Sequence, residues 1–310
     1  MNDPFIIFIV GPTAVGKSEI SLSLCDLLSR GVVEIVCCDA MQVYQEISIA
    51  SDKPSLDARQ RIPHHLVDIL SVAEDFNVAR YRALALEAID DIQARGKIPL
   101  FVGGSGMYMS VLLDGIFEGA EIPEELREAL TQELAAKGSL VLHERLKSLD
   151  PDAALKIHPN DPQRIIRALG VFISTGQPLS QLQQKRDGLW GKRPIRIFAL
   201  NRPREELYLR AEARIDEMFT KGLIDEIKQI VSLALSVTAR KIIGIPEVMG
   251  YLNNEYDLER AKYLMKLNTR HYIKRQLTWF RRDKRLMWVD IEKHQSAEEI
   301  ASVIAGQIKE

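Results

Sequence analysis

The run Gly11-Pro12-Thr13-Ala14-Val15-Gly16-Lys17-Ser18 has the spacing G-x-x-x-x-G-K-[ST]. In that pattern a glycine-containing turn curls backbone N–H groups around a phosphate, and the helix that follows adds its positive N-terminus. All eight residues are candidate phosphate ligands. Lys17 would reach the outer phosphate, and the Ser18 hydroxyl would hold Mg²⁺. A second candidate is Asp39, about twenty residues further on at the end of another apolar run, facing whatever binds beside the phosphate. Three roles compete for it: general base on an incoming nucleophile, Mg²⁺ ligand, or a plain polar strand end. Arg210 and Arg214 lie four residues apart beside an apolar helical face of Leu207, Ala211, Ile215 and Met218. Such a pair suits a diphosphate, whose oxygens accept guanidinium forks, although solvated charge on an exposed face would give the same pattern.

A third group is basic. Lys262, Lys266, Arg270 and Lys274 recur every fourth residue, and Arg275, Arg281, Arg282, Lys284 and Arg285 prolong the stripe. With Tyr272 and Trp279 interleaved and Asp283 the one acid between Arg281 and Arg285, the stripe reads as a ridge for a nucleic-acid backbone. Asn160-Asp161-Pro162-Gln163-Arg164 opens a helix with Asp161 as N-cap and Pro162 at its first position, and places Arg164 near Arg167. Gln163 and Arg164 are either surface residues or readers of base edges. The adjacent His64 and His65 cannot share one metal as an i, i+4 pair would, so they are read as structural. No H-x-E with P-C-x-x-C occurs, which argues against base deamination.

These residues need a frame. An apolar run from Phe5 to Val10, the phosphate loop, a helix from Ser18 to Arg30 with Ile20, Leu24, Leu27 and Leu28 on one face, and a β-branched run from Val32 to Cys38 make a βαβ unit. A helix over Phe76–Arg95, with Val78, Tyr81, Ala85, Ala88 and Ile92 inward, leads to a strand at Ile98–Val102. Gly103-Gly104-Ser105-Gly106 then opens a helix through Leu113. Alternation stops between Glu118 and Arg193, where Gly138, Asp150-Pro151, Pro159, Pro162, Gly176 and Pro178 punctuate a polar helical stretch. A strand at Pro194–Leu200, helices at Glu205–Ser232 and Leu258–Arg282, a strand at Leu286–Ile291 and a helix from Ala297 complete the pattern. The expected class is α/β: a P-loop parallel sheet core flanked by helices (residues 1–117 and 194–310), with an inserted all-helical lobe (residues 118–193).

The chain has 310 residues, 46% of them hydrophobic, enough for a large core with an appendage. Its 41 Lys and Arg against 43 Asp and Glu leave a net charge of −2, so nucleic-acid binding must rest on a local patch. Cys25, Cys37 and Cys38 lack metal-site spacing and are read as reduced core residues. With no signal-like or membrane-spanning run, a cytoplasmic monomer is expected.

Taken together, several motifs resemble the bacterial tRNA dimethylallyltransferases (tRNA isopentenyltransferases) over nearly the whole chain. They are Gly11–Ser18, Asp39-Ala40-Met41-Gln42-Val43-Tyr44, Pro63-His64-His65-Leu66-Val67-Asp68, Gly103-Gly104-Ser105-Gly106-Met107-Tyr108, Asn160–Leu169 and Thr269–Phe280. The resemblance implies a P-loop core and helical lobe that clasp the anticodon stem-loop. It also implies transfer of a dimethylallyl group from dimethylallyl diphosphate to the exocyclic amine of the adenosine 3′ to the anticodon. The loop would hold the donor's diphosphate with Mg²⁺ rather than ATP. By the same resemblance Asp39, Thr13 and Arg214 are catalytic, Asp39 as base on the amine and Thr13 near the reacting carbon, while Arg210 and Arg214 neutralise the leaving group. The implied tRNA contacts are Asp39, Ala40, Met41, Gln42, Ser105, Asn160, Asp161, Pro162, Gln163, Arg164, Arg167, Arg270 and Lys274. Ala40 stands where the family usually has Ser, Ser51-Asp52-Lys53-Pro54 where it has Thr-Ala-Lys-Pro, and Gly244-Ile245-Pro246-Glu247 where it has Gly-Tyr-Lys-Glu. The loop alone would equally suit a nucleotide-binding, ATP-dependent kinase of a small metabolite, with Asp39 deprotonating a hydroxyl.

Overall fold

The computed structural model describes residues 5–28, 31–116, 122–184 and 187–309. The expected boundary between 117 and 118 and the expected helix end at Arg30 lie outside them. The chain divides into two compact units, Met1–Leu112 with Trp190–Glu310, and Leu113–Leu189.

The first unit is built on a sheet. Its strands are β1 (Ile6–Val10), β2 (Val33–Cys37), β3 (His64–His65), β4 (Ile98–Gly103), β5 (Ile195–Asn201) and β6 (Met287–Asp290), in spatial order β3-β2-β4-β1-β5-β6, all parallel. Every residue of β1 and β2 is buried, as strands covered on both faces must be. Phe8 of β1 sits opposite Phe101 of β4 with the rings stacked, 4.6 Å between centroids. Because β1, β2 and β4 are neighbours running the same way, the phosphate loop, Asp39 and the second glycine turn all leave the sheet at one edge.

Helices α1 (Lys17–Leu27), α2 (Leu56–Arg61), α3 (Val78–Ala94) and α4 (Gly106–Leu113) follow these strands. Leu27, expected on the buried face of α1, is 48% exposed. The buried face is made by Ile20, Ser21, Leu24 and Cys25, and at 100° per residue Leu27 falls on its rim. In the second unit α5 (Glu124–Lys137), α6 (Ser139–Leu149), α7 (Pro151–Lys156), α8 (Pro162–Thr175) and α9 (Leu179–Gln183) enclose a core that includes Leu130, Leu142, Leu146, Ile165 and Leu169. The break at Asp150-Pro151 is a cap: buried Asp150 accepts the N–H groups of Ala153 (3.1 Å) and Ser180 (2.9 Å).

After β5 come α10 (Arg204–Thr220), α11 (Leu223–Val231), α12 (Ile245–Leu252), α13 (Leu258–Phe280) and α14 (Ala297–Lys309). The single helix expected over Glu205–Ser232 is two, because Gly222 takes φ 99° between α10 and α11. Strand β3 and helices α2 and α12, at eight residues or fewer, are too short to show a period and were not expected. Cys25, Cys37 and Cys38 are free and buried. No helix among the described residues is long and apolar enough to cross a membrane.

Candidate active site and RNA-facing surface

The phosphate loop is strained and held from outside. Gly11 has φ 150° and a Cβ there would lie 2.8 Å from the Leu200 carbonyl oxygen, so only glycine fits against β5. Gly16 has φ 104°, and Ala14 is left-handed at φ 64°, a conformation that costs a residue with a Cβ about 1 kcal/mol. Side chains from distant elements fix this shape. Arg210 Nε donates to the Ala14 carbonyl at 2.8 Å and Arg202 Nε to that of Val15 at 3.0 Å, while Gln276 Oε1 accepts the Thr13 N–H at 2.9 Å.

Lys17 folds back over the loop and donates to the carbonyls of Gly11 (3.1 Å) and Pro12 (2.8 Å). Burial pushes its ammonium down from 10.5 to about 8; the Asp39 carboxylate opposes that shift and the Arg214 charge adds to it. Asp39 is affected in the opposite sense. Burial raises its pKa above the ordinary carboxylate value, opposed by the Met41 N–H, which donates to Oδ1 at 2.9 Å, and by the Lys17 and Arg214 charges. A half-buried carboxylate of raised pKa beside a reluctant ammonium is the arrangement expected where protons move.

Arg214 and Arg210 both reach the loop from α10. Arg214 donates through Nη2 to Thr13 Oγ1 (2.5 Å) and through Nη1 to Asp52 (2.6 Å), and its buried Nε has no acceptor among the described residues. Both arginines thus bond to the loop, Arg214 half-buried and Arg210 with its side chain still exposed to solvent. Gln42 donates from Nε2 to the carbonyls of Ser51 (3.3 Å) and Asp52 (3.1 Å) and accepts from the Cys37 thiol, so its amide holds the 51–52 turn. Ala40 and Met41 continue the Asp39 loop, half-buried.

The second glycine turn closes the site from the β4 side. A Cβ on Gly103 would lie 2.0 Å from the Cys38 carbonyl oxygen, one on Gly104 2.3 Å from Gln276 Nε2, and one on Gly106 2.2 Å from the Trp279 ring. Ser105 N–H donates to the Cys38 carbonyl at 3.2 Å, which places Ser105 next to Asp39. Gln276 is the residue sequence reasoning missed: buried on α13, it takes the Thr13 N–H with one end of its amide and donates to the Gly104 carbonyl at 2.9 Å with the other. The available signal was a polar side chain in the stripe Ile273, Leu277, Phe280. Arg202 and Asp52 were missed as well, because partners so far away in sequence leave no local spacing.

The basic ridge needs correction. Lys262 pairs with Glu259 at 2.9 Å, Lys266 with Asp216 at 2.7 Å, and Arg270 with Glu212 while lying over the Tyr208 ring. Two of these acids come from α10, which a reading of α13 alone cannot see. Lys274 has no acidic partner among the described residues, and Arg281, Arg282 and Lys284 are not buried. Trp279 packs on Gly106, and the half-buried Tyr272 carries the Arg275 guanidinium 5.7 Å from its ring centroid, so both rings already have partners. His65 binds Glu34 at 2.7 Å together with Arg95 and Lys97, a structural network at the base of β2.

In the second unit Asp161 caps α8 by accepting the Arg164 N–H at 3.2 Å, with Pro162 at the first turn. Asn160, Gln163, Arg164 and Arg167 are exposed.

The sequence profile of the IPP transferase family matches residues 42–283. The tRNA dimethylallyltransferase of Thermotoga petrophila is 40% identical over 288 residues, 92% of each chain. Among solved structures, a tRNA isopentenylpyrophosphate transferase from Staphylococcus epidermidis is 32% identical, with TM-score 0.70 and 99% of each chain covered. A eukaryotic dimethylallyltransferase acting on tRNA is 29% identical, with TM-score 0.81 over 99% of this chain and 78% of its own.

Proposed function

Because this chain belongs to the IPP transferase family, we propose that it transfers a dimethylallyl group from dimethylallyl diphosphate to the exocyclic amine of the tRNA adenosine immediately 3′ to the anticodon. The observation that carries the reading is the convergence of Lys17, Arg210 and Arg214 on one phosphate loop with the Asp39 carboxylate beside it. The adenosine leaves its stack to reach the site. Asp39 accepts a hydrogen bond from the amine; as the nitrogen forms a bond to the allylic carbon, the carbon–oxygen bond breaks and its electron pair leaves with the diphosphate. Asp39 takes the proton that the amine loses, and its raised pKa makes it a better base than an ordinary carboxylate. Lys17, the loop N–H groups, Arg210 and Arg214 receive the charge that develops on the leaving group.

Mg²⁺ takes few protein ligands and keeps waters and phosphate oxygens around it, a donor set that the exposed Ser18 hydroxyl at the loop's end fits. Bound there with the diphosphate, it would supply further charge neutralisation. Gln42 and Ser105 on the core, Asn160–Arg164 and Arg167 on the lobe, and Arg270 and Lys274 on α13 are assigned to tRNA, and the enzyme to the cytoplasm as a monomer. Incubation of unmodified tRNA with Mg²⁺ and either labelled dimethylallyl diphosphate or γ-labelled ATP tests the assignment. Label enters RNA from the prenyl donor alone, and Asp39→Ala abolishes transfer while donor binding persists. Phosphoryl transfer from ATP to a small acceptor would overturn it.

A further inference from the structure

Asp52 is an anion at a site made for anions. It sits in a turn fixed from several sides: the Glu226 carboxylate accepts the N–H groups of Ser48, Ile49 and Ala50 at 2.7, 2.7 and 2.8 Å, and Ser51 Oγ donates to the Ile47 carbonyl at 2.6 Å. Gln42 holds the carbonyls of Ser51 and Asp52, and the buried Lys53 ammonium donates to those of Tyr44 (2.5 Å) and Gln45 (3.1 Å). Asp52 itself is left-handed at φ 50°, a conformation Asp and Asn tolerate better than most residues. The side chain this turn presents is 53% exposed, yet one oxygen lies 2.6 Å from Arg214 Nη1. A turn tied down so thoroughly delivers the carboxylate to the guanidinium at little entropic cost.

The charges around the loop make its effect calculable. Arg202 is balanced by Glu206 at 2.6 Å; Lys17, Arg210 and Arg214 then supply three positive charges, and Asp39 and Asp52 two negative ones, leaving one positive charge to meet a diphosphate. Without Asp52 the surplus doubles. Arg214 meanwhile keeps its buried Nε without an acceptor among the described residues, a donor that a diphosphate oxygen would satisfy.

We propose that Asp52 is a built-in counter-anion for Arg214, which holds the guanidinium against Thr13 while the cradle is empty and weakens the grip on diphosphate so that this product leaves. The proposal rests on the reading of the loop as a diphosphate site. An enzyme that stabilises a departing diphosphate strongly must still release it, and a fixed carboxylate on one of the binding arginines serves both needs.

Titration calorimetry of inorganic diphosphate into the wild type, Asp52→Asn and Asp52→Glu, with and without Mg²⁺, tests it. Replacing the carboxylate with the isosteric amide should tighten binding about fivefold, the size of one partly screened charge beside the ligand. Product inhibition by diphosphate should strengthen in parallel, and Asp52→Glu, which keeps the charge, should not tighten binding, its thermal midpoint being read as well because Glu accepts the left-handed backbone less readily than Asp or Asn. Unchanged or weaker binding in Asp52→Asn overturns the proposal, as does weakening seen only with Mg²⁺, which would make Asp52 a metal ligand. A wild type that binds no diphosphate would instead sink the reading of the loop itself. Asn accepts the left-handed backbone, so a matching thermal midpoint shows that folding is not what changed.

Discussion

Lys17→Met should stabilise the folded chain while destroying its phosphate site. Depression of the Lys17 pKa from 10.5 to about 8 means that holding this ammonium in its folded position at pH 7 costs up to about 3 kcal/mol relative to the unfolded chain. That balance already includes the attraction of Asp39 and the repulsion of Arg214. Methionine removes the charge and fills a similar volume, but it leaves the carbonyls of Gly11 and Pro12 without their donor, at about 1 kcal/mol each. The net gain is about 1 kcal/mol, or about 2 °C in Tm for a chain of this size. The pH dependence supplies the sharper check. Between pH 8 and 10.5 the unfolded lysine keeps its proton and the folded one has lost it, so wild-type stability climbs with pH there. In Lys17→Met that climb is absent, so the order reverses: by pH 9.5 the wild type has gained about 2 kcal/mol and is the more stable protein by about 1 kcal/mol. Urea denaturation in phosphate-free buffer at pH 7 and pH 9.5 reads both effects, and millimolar diphosphate should stabilise the wild type alone. A variant less stable than the wild type at pH 7, with a gap that ignores pH, would show that the ammonium is not held at a cost.

The same two groups set the pH profile. kcat/KM for the prenyl donor should fall above about pH 8 as free-enzyme Lys17 deprotonates, and on the acid side at a pH above the usual carboxylate range as Asp39 protonates. The alkaline limb of kcat should lie higher, because bound diphosphate favours the charged lysine. Gln276→Leu cuts both ends of the bridge between Thr13 and Gly104; steady-state kinetics should show kcat/KM for the donor down at least about tenfold, since a displacement near 1 Å in a reacting geometry carries that effect. On the ridge, Glu212→Gln should tighten tRNA binding by freeing Arg270, whereas Lys274→Ala should weaken it and reduce the salt slope by about one, read from binding isotherms at several salt concentrations.

What could be read from sequence followed from locality. The phosphate loop, the N-cap of α8 and the βαβ order rest on spacings within a few residues, and Gly11, Gly16 and Asp161 have the backbone conformations or bonds that their types suggest. The pairs that tune the site lie far apart along the chain. Arg214 with Asp52, Gln276 with Thr13 and Glu226 with the 48–50 turn span 162 to 263 residues, and no periodicity in one segment encodes the chemistry of another. The charge of the basic ridge was only partly legible for the same reason. Its stripe was read correctly on α13, but net charge belongs to a surface, and the acids at 212 and 216 reach that surface from α10.

Helix α10 therefore carries opposite charges on different sides of one cylinder. Residues 207, 211, 215 and 218 face the core, Arg210 and Arg214 turn to the phosphate loop, and Glu212 and Asp216 turn to α13. At 100° per residue the acids point about 200° away from the arginines, across a helix about 10–12 Å wide. Over that distance, in solvent and physiological salt, two unit charges interact by about 0.3 kcal/mol or less. An RNA phosphate that draws Arg270 off Glu212 leaves a bare carboxylate behind, yet too far from the loop to alter diphosphate affinity measurably. On the proposed function the two substrates would share a helix without sharing an electrostatic field, so substitutions at 212, 216, 270 and 274 should alter the binding of RNA while those at 210 and 214 should alter the binding and departure of diphosphate. Gln276 is the exception, since it alone among these residues ties α13 mechanically to the loop that holds the leaving group.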